Sequence, residues 1–145
     1  MHTIGNGVKT LLQTGHGITE DTAEDTVEEI LRFDPALHMF TRWAYEDIEV
    51  MGHTFHRGDQ VALLLAAANR DPGVWEDAGQ FRPTRPIKPN VTFGAGLHFC
   101  VGAPLARLEL QIALPILFAR LPKLRLSEAP VYGDVYHFHG LTQLM

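Results

Sequence analysis

Residues 93–102, FGAGLHFCVG, constrain this chain more than any other stretch. The segment holds three glycines, Gly94, Gly96 and Gly102, and the chain's single cysteine, Cys100. It runs directly into residues 103–121, the strongest helical pattern in the sequence. Glycine admits positive φ and lets a backbone approach a flat ligand closely. Ahead of a helix, such a loop delivers Cys100 to the positive end of the helix dipole. A thiolate is favoured there, and backbone N–H groups can bond the sulfur. The thiolate is the form of cysteine that ligates a metal. A lone cysteine after a turn also serves as a small buried apolar residue, and spacing alone does not separate the two roles.

With one cysteine, the chain forms no intramolecular disulfide and holds no thiolate cluster for zinc or iron–sulfur. The eight histidines are scattered. His53/His56 and His137/His139 come without a carboxylate or third ligand at helical spacing, so no metal site is expected at either pair. At 145 residues, 46% hydrophobic and 20% charged, the whole chain 1–145 reads as one globular domain with a real core. A net charge of −5 argues against a nucleic-acid footprint. No apolar run is long enough to span a bilayer, and Met1 opens no signal-peptide pattern, so a cytoplasmic location is expected.

Residues 3–13 read as a helix with Ile4, Val8, Leu11 and Leu12 on one face, weakened by Gly5 and Gly7. Residues 21–33 read as a second helix, acidic at its start and with Arg32 near its end, terminated by Pro35. Residues 45–50, 53–56 and 60–65 alternate and are separated by Met51-Gly52 and Arg57-Gly58-Asp59, which predicts a three-stranded antiparallel sheet. Residues 63–69 also suit a short helix. Residues 70–90, with Pro72, Pro83, Pro86 and Pro89, form a long ordered coil anchored by Trp75 and Phe81. In the 103–121 helix, Leu105, Leu108, Ile112 and Ile116 make one apolar stripe. Leu110, Leu114, Leu117 and Leu121 make another. The pair predicts burial on most sides, with a kink at Pro115. Residues 124–126 and 135–144 read as short strands or hairpins. The fold class is α+β, mainly helical.

The pattern FGxGxHxCxG, with Phe93, Gly94, Gly96, His98, Cys100 and Gly102 at its fixed positions, resembles the haem-ligand signature of bacterial cytochromes P450. The APLARLEL run at 103–110 is similar too. Glu29-Ile30-Leu31-Arg32 resembles the family's ExxR motif, an i, i+3 ion pair on a helix. Residues 81–85, FRPTR, resemble the coil that adds a second arginine, Arg85, to that pair. Arg42 sits where a family arginine binds a haem propionate, and His98 where another propionate contact lies. The resemblance implies the C-terminal portion of the P450 fold and haem b (iron protoporphyrin IX) as cofactor. It implies Cys100 as the axial iron ligand and a family activity of monooxygenation, with a redox partner on the Cys100 face.

It also implies absences. The family's oxygen-activating acid–alcohol pair would fall just before Met1, and Thr3 comes about one turn too late. No catalytic residue is therefore expected within the chain. The substrate-pocket roof would lie outside it, and the connection from Leu12 to Val27 is shorter than the family's. Two readings follow. One is a haem-thiolate oxidoreductase whose isolated chain is inactive. The other is a truncated, non-catalytic haem-binding fragment that self-associates through an exposed apolar face.

Overall fold

The computed structural model describes residues 2–145. Helix α1 spans His2–Thr14 and stops at Gly15, whose φ of 71° no longer continues a right-handed helix. A 3-10 turn at Glu20–Thr22 leads into helix α2, Ala23–Phe33, so the predicted helix over 21–33 begins as 3-10. Helix α4, Ala103–Arg120, follows the glycine loop with Pro104 in its first turn, and it runs unbroken across Pro115. The shared core is built by Val8 and Leu11 of α1, Val27, Ile30 and Leu31 of α2, and Leu110 and Leu114 of α4, with Ile18 and Phe81 from the connections. Gly7 explains its own place in α1. A Cβ there would stand 3.4 Å from the side chains of both Ile30 and Leu114, so the glycine sets how closely the three helices approach.

The predicted three-stranded sheet is instead two separate pairs. Strands β2 (Ile48–Val50) and β3 (His53–Phe55) form a two-residue hairpin. Its central residues, Met51 and Gly52, have φ of 53° and 78°, as a hairpin matched to strand twist needs. Strand β4, Gln60–Leu64, does not join them. It pairs antiparallel with β1, Met39–Trp43, from Met39 opposite Leu64 to Trp43 opposite Gln60. Bonds from the Ala44 amide to Asp59 O and from the Gly58 amide to Ala44 O, both 2.9 Å, carry that pairing to the base of the hairpin. Leu65–Ala68 is a short helix, α3, in line with the helical reading of 63–69.

Near the C-terminus, β5 (Val131–Tyr132) pairs with β6 (Leu141–Gln143) across a register shift, and Phe138 bridges to Leu37. Residues 124–126 form no strand. The two apolar stripes of α4 also diverge. Leu110 and Leu114 are 3% and 0% exposed, whereas Leu105, Leu108, Ile112 and Ile116 are 61%, 52%, 52% and 43% exposed. One stripe meets α1 and α2; the other faces outward, so α4 is not buried on most sides.

The long coil is ordered by one buried ion pair. Arg32 and Glu29 are 1% and 4% exposed and bond twice, Nε to Oε2 at 2.8 Å and Nη2 to Oε1 at 2.7 Å. The remaining guanidinium hydrogens go to the carbonyls of Asn69, Ala78 and Gln80 at 2.9, 3.0 and 3.1 Å. The Arg82 amide completes the set by donating to Glu29 Oε1 at 2.8 Å. Arg85, the expected third member, has its Nε 3.5 Å from Glu29 Oε2 without a hydrogen bond there. Its other nitrogens bond the carbonyls of Glu76, Asp77 and Gln80. Removing one member of a buried pair strands the other charge and typically costs about 3–5 kcal/mol. Glu29→Ala is therefore expected to lower unfolding free energy by that order in urea titration, and a change of a few tenths would reduce the pair to a surface contact.

Candidate functional site

The buried pair leads directly to the cysteine loop. Asn69, whose carbonyl holds Arg32, donates through Nδ2 to Thr92 Oγ1 at 2.8 Å and accepts from the Val91 amide at 2.8 Å. The Thr92 hydroxyl donates to Leu31 O at 2.6 Å. The loop thus starts from a fixed point on α2. The Gly94 amide bonds Val91 O at 2.9 Å, and Gly94 and Gly96 take φ of 74° and 66°, where a side chain would be strained. A short 3-10 turn, Gly96–His98, is closed by the Phe99 amide on Gly96 O at 3.1 Å. The Cys100 amide returns to Phe93 O at 2.9 Å, and Ala103 N bonds Cys100 O at 3.1 Å, so the cysteine adjoins the first turn of α4. Gly102, the N-cap of α4, leaves room beside the sulfur: a Cβ there would lie 3.8 Å from Cys100 Sγ.

Cys100 is a free, exposed thiol. It borders an open, mostly apolar cleft of about 290 Å³ walled by Leu31, Leu37, Phe40, Phe93 and Phe138, with His2 and Thr3 from the first turn of α1. A second open cleft of about 390 Å³ lies alongside, and the Phe40 ring lines both. Arg42 and His98 line this second cleft together with Gly94, Leu64 and Val91. Arg42 is exposed, with its guanidinium 5.3 Å from the centre of the Phe40 ring. The structure therefore gathers Cys100 and Phe93 on one side of Phe40 and Arg42 and His98 on the other. Glu29, Arg32 and Arg85 lie behind the loop as its support and do not reach either cleft.

Several site residues carry no local sequence signal. Phe40 and Phe138 wall the cleft from segments far from the cysteine. Arg107 of α4 bonds Glu28 of α2 and lies 4.8 Å over the Phe93 ring, which fixes that aromatic. No group of three or more His, Cys, Asp or Glu placed to hold a metal ion is found among the described residues. His56 and His139 do have acidic neighbours, Asp47 at 3.2 Å across the base of the same hairpin and Asp34 at 3.5 Å from a distant segment. No described helix is long and apolar enough to cross a membrane.

Helices packed behind a glycine loop that presents a single thiol to an apolar cleft form an α+β arrangement centred on that loop. The family is cytochrome P450: its family model matches residues 22–123, and the chain belongs to it. The chain is 40% identical over 147 residues to the biotin biosynthesis cytochrome P450 of Bacillus subtilis (strain 168), with 97% of the chain and 37% of the relative covered. It is 44% identical over 105 residues to the polyketide biosynthesis cytochrome P450 PksS of the same organism, covering 72% of the chain and 26% of the relative. Among solved structures, P450BioI in complex with hexadec-9Z-enoic acid ligated acyl carrier protein superposes with a TM-score of 0.93 at 40% identity. That match covers 99% of this chain and 39% of that one. CYP164A2 of Mycobacterium smegmatis in its ligand-free state gives 0.93 at 39% identity, covering 99% and 38%. The matched regions thus span between about a quarter and two-fifths of the length of these relatives, from 26% to 39%.

The exposure of Cys100 has a direct chemical readout. In the haem-free folded protein, one thiol per chain is expected to react with an aromatic disulfide reagent without denaturant. Reaction only after unfolding would place the sulfur inside the loop instead of on the cleft.

Proposed function

We propose that this chain is the haem-carrying portion of a cytochrome P450 monooxygenase, with Cys100 as the axial ligand of haem b. One observation carries the reading: an exposed thiol borders an apolar cleft at the end of a loop whose Gly102 leaves space beside the sulfur. The donor set fits the group. A porphyrin needs flat apolar walls, and Phe93 and Phe40 offer them beside the thiol. Its two carboxylates need cationic and hydrogen-bonding partners, and Arg42 and His98 line the adjoining cleft. Gly94, Gly96 and Gly102 keep side chains out of the space between loop and ligand. A haem held by a thiolate supplies oxygen-activating chemistry, because the sulfur pushes electron density onto the iron.

Within this portion the protein's own residues bind and orient. Cys100 gives the thiolate, Phe93 is held under Arg107, and the Glu29–Arg32 pair keeps the coil and loop in register. Among the described residues none is assigned to oxygen activation or to substrate recognition. Electrons would arrive from a redox partner docking on the Cys100 face.

A second reading, a non-catalytic haem-binding fragment that self-associates, draws on the outward stripe Leu105, Leu108, Ile112 and Ile116. Exposed apolar patches of this kind mark association surfaces. In sedimentation, that reading expects a concentration-dependent dimer that Ile112→Glu dissolves. A monomer at all concentrations removes it.

The absorption spectrum of the chain mixed with haem and reduced under carbon monoxide tests the main reading. A strongly red-shifted Soret band is expected, lost in Cys100→Ser while the far-ultraviolet circular dichroism is unchanged. A histidine-type band in the unsubstituted chain would overturn Cys100 as ligand. His98→Ala is expected to weaken haem retention by roughly tenfold, the worth of a hydrogen bond to a charged group.

A further inference from the structure

The C-terminal segment is tied to the helices through one buried carboxylate. Asp34 stands just past the end of α2 and is buried. Its Oδ2 accepts from Lys9 Nζ at 2.6 Å, from the Tyr132 hydroxyl at 3.3 Å and from Thr10 Oγ1 at 3.5 Å. Its Oδ1 lies 3.5 Å from His139 Nε2. The His139 ring is sandwiched. Tyr132 stacks on one side at 3.8 Å between centroids and 15°, and His38 on the other at 4.2 Å and 23°. Backbone bonds follow the same seam: His139 N to Ala36 O at 2.8 Å, His38 N to His137 O at 3.0 Å, and Asn6 Nδ2 to His139 O at 2.8 Å. Between His137 and His139 sits Phe138, which bridges to Leu37 and walls the Cys100 cleft.

The charged and titratable groups facing His139 come from every element around it. They are Lys9 of α1, Asp34 at the end of α2, His38 before β1, Arg70 after α3 and Tyr132 of β5. Burial pushes His139 below the usual histidine value of 6.5. Asp34 opposes this, while His38, Lys9 and Arg70 add to it. His38 is pushed down as well, first by burial and then by Arg70, again against the pull of Asp34. Burial raises Tyr132, and Lys9 is raised despite burial by its bonds to Asp34 and Tyr132, so Lys9 stays cationic and Tyr132 neutral near neutral pH. For a histidine lowered on folding, the stabilisation is present above the unfolded value. It is lost as pH falls through the folded one. A proton taken from solvent by either imidazole thus works against the stack.

We propose that the Tyr132–His139–His38 stack is a pH-sensitive latch: with both imidazoles neutral it holds residues 131–140, and with them the Phe138 wall of the Cys100 cleft, and protonation loosens them. His139 is in this sense a positioning residue for the cleft wall. The latch is a property of the protein alone and stands whether or not Cys100 ligates a haem.

Backbone amide hydrogen exchange of the full chain at pH 7.5 and 5.0, each rate divided by the unfolded-chain rate at that pH, tests it. Protection at His139, His38 and Gly133 is expected to fall severalfold on acidification, the direction that lowered histidines impose. Protection at Leu114 in α4 is expected to stay within about twofold, so that the loss is local and not global unfolding. The double variant His38→Gln, His139→Gln is expected to abolish the pH dependence. Unchanged protection between the two pH values overturns the latch. So does an equal loss at Leu114, or a fall that persists in the double variant. Should the variant not fold, the His139 ring signal in the unsubstituted chain decides the matter: a titration midpoint below 6.5 is expected, and one at or above 6.5 overturns the latch.

Discussion

Arg32 is the group on which the rest of this structure depends. A guanidinium this deeply buried is tolerated only when its charge is paired and its donors are met, because the desolvation cost otherwise exceeds any gain. Glu29 supplies the charge, and three backbone carbonyls, of Asn69, Ala78 and Gln80, take the remaining hydrogens. Those carbonyls belong to a coil with no regular ladder of its own. The arginine stands in for one, giving stretched backbone a set of partners that secondary structure would otherwise provide. Asn69 then passes the order on to Val91 and Thr92, where the cysteine loop begins. The position of Cys100 over its cleft is thus traceable, bond by bond, to an ion pair on the opposite side of the coil.

What was legible in the sequence was local. The glycine loop, the i, i+3 pair at Glu29 and Arg32, and the apolar periods of α1, α2 and α4 lie within short windows, and each emerged where its pattern placed it. Pairing between distant segments was not legible. β4 alternates cleanly, but nothing in residues 60–64 says that it pairs with 39–43 across an intervening hairpin. The MFTRW run itself lacks the alternation that would have marked it as a strand. Arg85 shows the same limit on a smaller scale. Its Nε lies 3.5 Å from Glu29, yet the bond from the coil to that carboxylate comes from the Arg82 backbone, which side-chain identity cannot signal. In the site, Cys100, Phe93, Arg42 and His98 were named from motif positions, whereas Phe40 and Phe138 were brought to the cleft by the β1–β4 pairing and the C-terminal bridge.

The outward stripe of α4 separates pattern from environment. Leu105, Leu108, Ile112 and Ile116 have the same periodicity and the same apolar character as the buried Leu110 and Leu114. Periodicity therefore reports that a face is made to be covered, not what covers it. In this chain α1 and α2 cover one face only. Relatives about two and a half times as long superpose closely on the shared portion. The helix positions around the cysteine loop are accordingly compatible with a much larger body packed on that open face.

Asp34 presents the opposite problem from Arg32: a buried carboxylate at the C-terminal end of α2, where the helix dipole is itself negative. No partner on its own helix offsets it. Lys9 and Thr10 reach it from α1 and Tyr132 from the C-terminal segment, so the charge is stabilised only when three separate segments are docked together. A group placed this way contributes little as a local contact and much as a condition on assembly. If the C-terminal segment leaves, the carboxylate loses the Tyr132 bond and the His139 ring beside it. If α1 shifts, the carboxylate loses its Lys9 counter-charge and the Thr10 hydroxyl. Helix α2 therefore carries one demanding charge, Arg32, in its last turn, and it orders the coil beneath the cysteine loop. It carries a second at its end that holds the wall across the cleft. Both faces of the Cys100 cleft are thus tied to the C-terminal part of the same three-turn helix.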